Sequence, residues 1–360
     1  MQNPTFSTPG DIYNATPPRI LFGAGTFSQV AAEVERLGSK RAMVISTPGR
    51  SALAESIGPS LGDRFAGLLP EAVSQVPIEL AIRGRQKVQD AGADCLISVG
   101  GGASIGLGKG IALELGIPII AIPTTYSGSE MTGFCGITID GVKRMHTSLK
   151  MLASTVIYDP ELTLKLPPAV SAASAMNALA HCIDAVVVAT CSPLMALAAA
   201  EGAGAIHASI ARVVKTPTDV GARTEALYGA YLGGAALTGG FALQHGVAHV
   251  LGGSFNVAHG LSHALMLPHV AAYHARHVPD AMAPVARAMG VDCDDLGGAV
   301  FDLLASLELP TSLADIGFDE KALDRVAQIT VETDNRENPA PVTFDVVRQL
   351  LSDAFHGKRP

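Results

Sequence analysis

Cys95-Leu96-Ile97-Ser98-Val99-Gly100-Gly101-Gly102-Ala103-Ser104-Ile105-Gly106-Leu107-Gly108-Lys109-Gly110 decides how the first half of the chain folds. Its apolar opening lacks polar alternation and reads as a strand buried on both faces. A glycine-rich turn follows, and helical periodicity then runs over 105–115. At such a strand-to-helix turn, free backbone N–H groups and the helix dipole favour a phosphate. Glycine lets the backbone approach that anion closely because no Cβ intervenes. The dinucleotide fingerprint G-x-G-x-x-G fails here, since Ile105 stands at its last position. The pattern G-x-x-x-x-G-K-[ST] fails too, because Ala103 replaces its first Gly and Gly110 its hydroxyl residue. The nucleophile-elbow pattern G-x-S-x-G fits Gly102-Ala103-Ser104-Ile105-Gly106. Ser104 serves equally well as a helix-capping hydroxyl, and a tight turn that binds nothing stays open.

Working outward, residues 41–46 and 118–122 read as further buried strands, and 27–37 carries helical periodicity. This alternation predicts an α/β fold with a doubly wound parallel sheet. Ligands in such sheets sit beyond the carboxyl ends of the strands. A second loop, Pro123-Thr124-Thr125-Tyr126-Ser127-Gly128-Ser129-Glu130-Met131-Thr132, occupies that edge and is crowded with hydroxyls. After Asp159-Pro160-Glu161-Leu162 strand signals fade and Ala-rich helical segments follow. The expected organisation is an α/β domain over 1–160 and an all-helical domain over 161–360, with the active site in a cleft between them.

Histidine is concentrated in the second part. Seven of the eleven histidines lie between 245 and 277, and His181 stands upstream. The pairs His245/His249 and His259/His263 are four residues apart, so each pair shares one helix face. Imidazole titrates near neutrality, so the cluster points to proton transfer or metal ligation. A single histidine in this set could equally cap a helix or sit satisfied in a core.

Composition excludes several classes. The 360 residues are 48% hydrophobic and 16% charged, with a net charge of −8 and no Lys/Arg run. Nucleic acid and anionic membranes are poor partners for such a chain. The odd, scattered cysteines Cys95, Cys135, Cys182, Cys191 and Cys293 form no C-x-x-C pair, which favours free thiols in a reducing compartment. The N-terminus lacks a basic segment followed by an apolar one. A soluble, cytoplasmic protein is expected.

The ordered motifs Gly100-Gly101-Gly102-Ala103-Ser104, Pro123-Thr124-Thr125, Asp159-Pro160-Glu161-Leu162, Asn177-Ala178-Leu179-Ala180-His181, His245-Gly246-Val247-Ala248-His249-Val250-Leu251-Gly252-Gly253 and His259-Gly260 span nearly the whole chain. Together they resemble the iron-containing (group III) alcohol dehydrogenase superfamily, with its dehydroquinate synthase-like fold. Within it the chain looks most like the maleylacetate reductases. That likeness is carried by Thr16-Pro17-Pro18-Arg19-Ile20-Leu21-Phe22-Gly23-Ala24-Gly25-Thr26, by Gly106-Leu107-Gly108-Lys109, and by Glu337-Asn338-Pro339-Ala340-Pro341-Val342-Thr343. One position departs from the pattern: Gly246-Val247-Ala248 stands where maleylacetate reductases commonly have a Lys. His263 falls where many alcohol dehydrogenases have Asn.

The resemblance implies an N-terminal NAD(P)-binding domain, a helical catalytic domain, and a homodimer. Gly101, Gly102 and Ser104 would cradle the pyrophosphate, Thr124 and Thr125 would line the nicotinamide half, and Ser46 and Lys143 would lie near the cofactor. Lys143 as an ordinary surface lysine stays open. No carboxylate after the strand at 41–46 claims the ribose 2′-hydroxyl, and Arg50 would tolerate a 2′-phosphate, so NADH is expected with NADPH possible. His181, His245 and His249 would be catalytic, and Asn177, His259 and Tyr126 would bind substrate. In metal-dependent relatives an Asp at position 177 joins histidines matching His181, His245 and His259. Asn177 is a poorer ligand, so no metal is expected. The activity implied is NAD(P)H-dependent reduction of the carbon–carbon double bond of maleylacetate, a dicarboxylate, to 3-oxoadipate in aromatic-compound degradation. Protonated imidazoles would stabilise the enolate and deliver the proton. Two alternatives stand beside it: a metal-dependent alcohol dehydrogenase of the same fold, and a serine hydrolase using Ser104.

Overall fold

The structure is a computed structural model that describes residues 18–140, 142–333 and 338–360. Thr16 and Pro17 of the opening motif, and Glu337 of the tail, lie outside the described residues. The chain divides into two compact units, one ending at Lys165 and one running from Leu166 to Pro360.

The first unit holds strands β1 (Arg19–Phe22), β2 (Ala42–Ile45), β3 (Phe65–Leu69), β4 (Cys95–Gly100), β5 (Ile119–Pro123), β6 (Phe134–Ile139), β7 (Val142–Thr147) and β8 (Thr155–Tyr158). Six of them form one parallel sheet in the order β1-β8-β5-β4-β2-β3. Every residue of β2, β4, β5 and β8 is buried, as expected of parallel strands covered on both faces. The expected strands at 41–46, 95–99 and 118–122 are β2, β4 and β5. Helices Val30–Arg36, Ile78–Asp90 and Gly102–Leu115 flank the sheet. Val30 and Val34 pack with Val44, Ile97, Ile120 and Ile157 in its core. The chain leaves β2 for β3 in one direction and β4 for β5 in the other, so β2 and β4 flank the switch point where such sheets open a crevice. Strands β6 and β7 form a separate antiparallel hairpin.

Among the described residues, no strand follows Tyr158. Pro168 opens the helix Pro168–Ala185 from its first turn, where the missing N–H costs nothing. Small residues then let backbones approach: a Cβ on Gly229 would lie 2.8 Å from the Gly202 carbonyl of the neighbouring helix. The helix Pro193–Lys215 is long and apolar enough to cross a membrane by composition. Its residues Ala199, Gly202, Ala203, Ile206, Ile210 and Val213 are instead buried at helical spacing, the seam of a bundle helix.

Candidate active site

The nucleotide-loop candidates gather at the carboxyl edge of the sheet. Helix Gly102–Leu115 begins directly after Gly101, and the Thr124 amide donates to the Gly100 carbonyl at 3.0 Å, tying the two loops together. Gly100 has φ +140°, and a Cβ there would lie 2.5 Å from Ser104 Oγ; one on Gly101 would lie 2.9 Å from Thr125 Cγ2. A Cβ on Gly102 would meet nothing within 4 Å. The surface above Gly102 is therefore open at a helix N-terminus. The Ser46, Ser98, Ser104, Thr124 and Thr125 hydroxyls are buried without a hydrogen-bond partner. Ser98 Oγ lies beneath the helix at Gly108, but the other four stand at the carboxyl edge of the sheet by the switch point and fit the oxygens of a dinucleotide, since buried hydroxyls normally find partners. Ser104 makes no capping hydrogen bond and no bond to a base, which removes the footing of both the capping and hydrolase readings.

Other candidates in this unit take different places. Lys109 is buried beneath the loop, where Nζ donates to Thr132 Oγ1 at 3.1 Å and to the Phe134 carbonyl at 2.9 Å. Burial pulls its pKa down to about 8, against the opposing charges of Cys135 and Glu130. It anchors the 129–134 segment from below. Tyr126 is fully buried. Lys143 lies on β7 opposite Thr138, half-buried with its stem over Gly136. Asp159 accepts from the Phe27 and Glu161 amides at 3.0 Å each, so its motif fastens the end of β8 to the turn before Val30.

In the helical unit the histidines converge from three helices. Asn177 and His181 come from Pro168–Ala185, His245 and His249 from Leu243–Phe255, and His259 and His263 from His259–His277. The second of these ends at Asn256, whose left-handed φ of 56° turns the chain into the third. Ring centroids are 5.2 Å apart for His181–His245, 4.7 Å for His245–His263 and for His259–His263, 5.8 Å for His245–His249 and 6.3 Å for His249–His259. Phe241 closes one side, 5.4 Å from His245 and 5.5 Å from His249. His181, His245 and His263 are buried, His249 is half-buried and His259 exposed. Burial and the neighbouring imidazoles hold the pKa values of His181 and His263 well below the ordinary value. Both are neutral at neutral pH, so neither is the cation anticipated for binding carboxylate or enolate.

Three further contributors have roles that the motif pattern does not assign. Asp184, fully buried one turn after His181, accepts from the Ala242, Gln244 and His245 amides at 2.7, 3.3 and 3.1 Å, and from His245 Nδ1 at 2.7 Å. Burial raises its pKa, but the His245 bond and the charges of His245 and His274 outweigh this and hold it below the ordinary value. Gln244 donates to His263. Asn338 Oδ1 lies 2.8 Å from His274 Nε2 and accepts from the Leu243 amide at 3.2 Å, which ties the tail to the start of the histidine helix. The only signal for Asp184 was its i+3 spacing from His181 and i+7 spacing from Asn177.

This fold and site define a nucleotide-dependent oxidoreductase class, and the chain belongs to the iron-containing alcohol dehydrogenase family. The family model for iron-containing alcohol dehydrogenases matches residues 17–160, and that for their C-terminal part matches 171–355. A maleylacetate reductase of Burkholderia cepacia is 43% identical, over 97% of this chain and 99% of its own length. The crystal structure of maleylacetate reductase from Rhizobium sp. strain MTP-10005 superposes with a TM-score of 0.92 at 40% identity, covering 100% of both chains. That of an iron-containing alcohol dehydrogenase from Corynebacterium glutamicum gives 0.91 at 39% identity, covering 96% of this chain and 97% of its own.

Family membership corrects the expectation that no metal is involved. That expectation gave Asn177 more weight than the imidazoles, which can hold a divalent ion as a three-histidine set. His245 has the matching arrangement: Nδ1 bonds to a buried carboxylate and Nε2 is buried without a partner, as in metal-bound histidines. Among the described residues, no three His, Cys, Asp or Glu side chains already stand around one point as a metal site. The residues suit iron or zinc in kind, and the donors matching those of metal-dependent relatives would be His181, His245 and His259.

Proposed function

We propose that the protein is a maleylacetate reductase, which reduces the carbon–carbon double bond of maleylacetate to 3-oxoadipate with NAD(P)H. The full-length likeness to maleylacetate reductases at 43% identity is the observation that carries this reading. We read NADH as the donor, with NADPH as the alternative; the open space at Gly102 and the orphaned hydroxyls suit either dinucleotide. The bound nucleotide supplies the hydride. Gly101, Gly102 and Ser104 hold its pyrophosphate, Thr124 and Thr125 line its nicotinamide half, and Ser46 and Lys143 lie toward it. A metal at the imidazoles, when bound, supplies Lewis-acid polarisation of a substrate oxygen.

The chain's own groups account for the rest. Maleylacetate is a conjugated ene-one, so hydride adds at carbon and the electron pair moves to the ketone oxygen. The enolate then takes a proton at the adjacent carbon. Buried imidazoles with unpartnered nitrogens, His181 Nδ1 and His245 Nε2, orient substrate oxygens in a water-poor site, where a hydrogen-bonding group is worth most. His249, half-buried, is placed to pass a proton between solvent and substrate. Asn177 and His259 would meet the dicarboxylate at the imidazole cluster. We further read the protein as a cytoplasmic homodimer serving aromatic-compound breakdown. The test is NADH oxidation on addition of maleylacetate, with 3-oxoadipate identified as product. NADH oxidation with simple aldehydes but not with maleylacetate would select the alcohol dehydrogenase alternative.

A further inference from the structure

Given the dinucleotide site proposed above, we infer that Lys109 and Glu130 are positioning residues that lock the loop carrying Thr124 and Thr125 to the pyrophosphate cradle, so that nicotinamide and pyrophosphate are held at one set spacing. Lys109 belongs to the helix Gly102–Leu115 that opens at the cradle, about two turns on from Gly102. Its side chain is fully buried, and a buried ammonium is costly unless its protons are bonded. The oxygens that receive them belong to one segment: the Ser129 carbonyl and hydroxyl, Thr132 Oγ1 at 3.1 Å and the Phe134 carbonyl at 2.9 Å. A shift of that segment would strand the cation away from water. Helix and segment therefore keep one geometry.

Glu130 fastens the same segment to the sheet. It is fully buried in the turn Ser129–Met131, where Oε1 accepts from the Tyr158 hydroxyl at 2.8 Å and Oε2 from Ser127 Oγ at 3.4 Å. Tyr158 ends β8, which pairs with β5, the strand that runs into Thr124. Burial pushes the Glu130 carboxyl up, while the Tyr158 bond and the charge of Lys109 act against it, so the cation also steadies the carboxylate. The loop's other end is tied by the Thr124 amide to Gly100, with Thr125 pressed close to Gly101. The Thr124 and Thr125 hydroxyls have no protein partner, so nothing at those two side chains' own oxygens fixes the loop. Its placement comes from the two ends. Hydride transfer depends on that placement, because a shift of about 1 Å can cost on the order of 100-fold in rate. The pyrophosphate, held at the helix N-terminus, does not move with the loop.

The test compares NADH with ADP-ribose, which carries the pyrophosphate but no nicotinamide, on full-length Lys109→Met, Glu130→Leu, Glu130→Gln and Tyr158→Phe proteins. Affinities are read by calorimetric titration, and hydride transfer by single-turnover oxidation of NADH with maleylacetate. We expect every folded variant to bind ADP-ribose as wild type does. NADH affinity should weaken in Lys109→Met and Glu130→Leu, and their single-turnover rate should fall on the order of 100-fold. Glu130→Gln keeps an oxygen for Tyr158, and Tyr158→Phe keeps the ring, so both should lose less; they decide the matter if the harsher variants do not fold. Folded variants with wild-type NADH affinity and single-turnover rate would overturn the inference. Equal losses of ADP-ribose and NADH affinity would overturn it too, since the pair would then only support the fold of the whole cradle. Wild-type protein that binds both nucleotides but does not oxidise NADH with maleylacetate would defeat the reductase reading, and the two affinities would then judge the lock by themselves. Wild-type protein that binds neither nucleotide would defeat the dinucleotide site and the inference with it.

Discussion

Gly102 separates binding from folding more cleanly than any other position in the nucleotide loop. It is the first residue of a helix, it is exposed, and a Cβ there meets no protein atom within 4 Å. Replacing it with Ala or Val should therefore leave the fold intact. Ala should even add up to about 0.5–1 kcal/mol of stability by stiffening the unfolded chain. Binding should respond in the opposite sense. A side chain in the open space keeps the pyrophosphate from the helix N-terminus, and each charge-assisted hydrogen bond lost is worth about 1.5–3 kcal/mol. Losing one such bond weakens NADH binding roughly 10- to 100-fold. Gly101→Ala makes the contrast, because its Cβ would press to 2.9 Å on Thr125 Cγ2 and disturb both loops. The assay pairs NADH fluorescence titration with urea unfolding of the same samples. A Gly102→Val protein with wild-type stability and wild-type NADH affinity would refute the assignment of this loop.

Removing the half-buried imidazole in His249→Ala should lower kcat on the order of 100-fold without changing NADH affinity, as steady-state kinetics with a binding titration would show. Exhaustive chelation should lower turnover, and Fe²⁺ or Zn²⁺ should restore it, with bound metal measured in parallel; full activity in metal-free protein would contradict the family-based correction. Glu33 is buried, but bonds from Arg36, Arg19 and Thr155 outweigh that burial and hold its pKa below the ordinary 4.5. Its stabilising effect is present above that value and lost as pH falls through the lower folded one, so Glu33→Gln should flatten the acid limb of the stability profile by about 1 kcal/mol. Arg223, fully buried, donates to the Leu166 and Pro217 carbonyls and to Ser171 Oγ, so Arg223→Met should cost at least about 1–3 kcal/mol in denaturant unfolding.

The sheet was legible where burial leaves no choice. The runs around Val44, Ile97 and Ile120 are apolar on both faces, and each became a central strand. Short edge and hairpin strands were not. Phe65–Leu69 carries two small residues, and Val142–Thr147 is mostly polar and exposed, so its pairing with Phe134–Ile139 depends on tertiary context. The histidines could be gathered from i,i+4 spacing because spacing fixes a helix face. Asp184, Gln244 and Asn338 could not, since what they do depends on which other helix or tail they meet. The lowered pKa values of His181 and His263 were not legible for a related reason: a sequence shows that imidazoles are present but not that these two are buried among other imidazoles.

The most direct measurement of the central claim follows where the hydride goes. With maleylacetate and NADH carrying deuterium on the transferred position, the account predicts 3-oxoadipate with the label on a carbon of the former double bond and the ketone intact. Label on a newly formed carbinol carbon, or no maleylacetate turnover by the folded, nucleotide-binding protein, would contradict it.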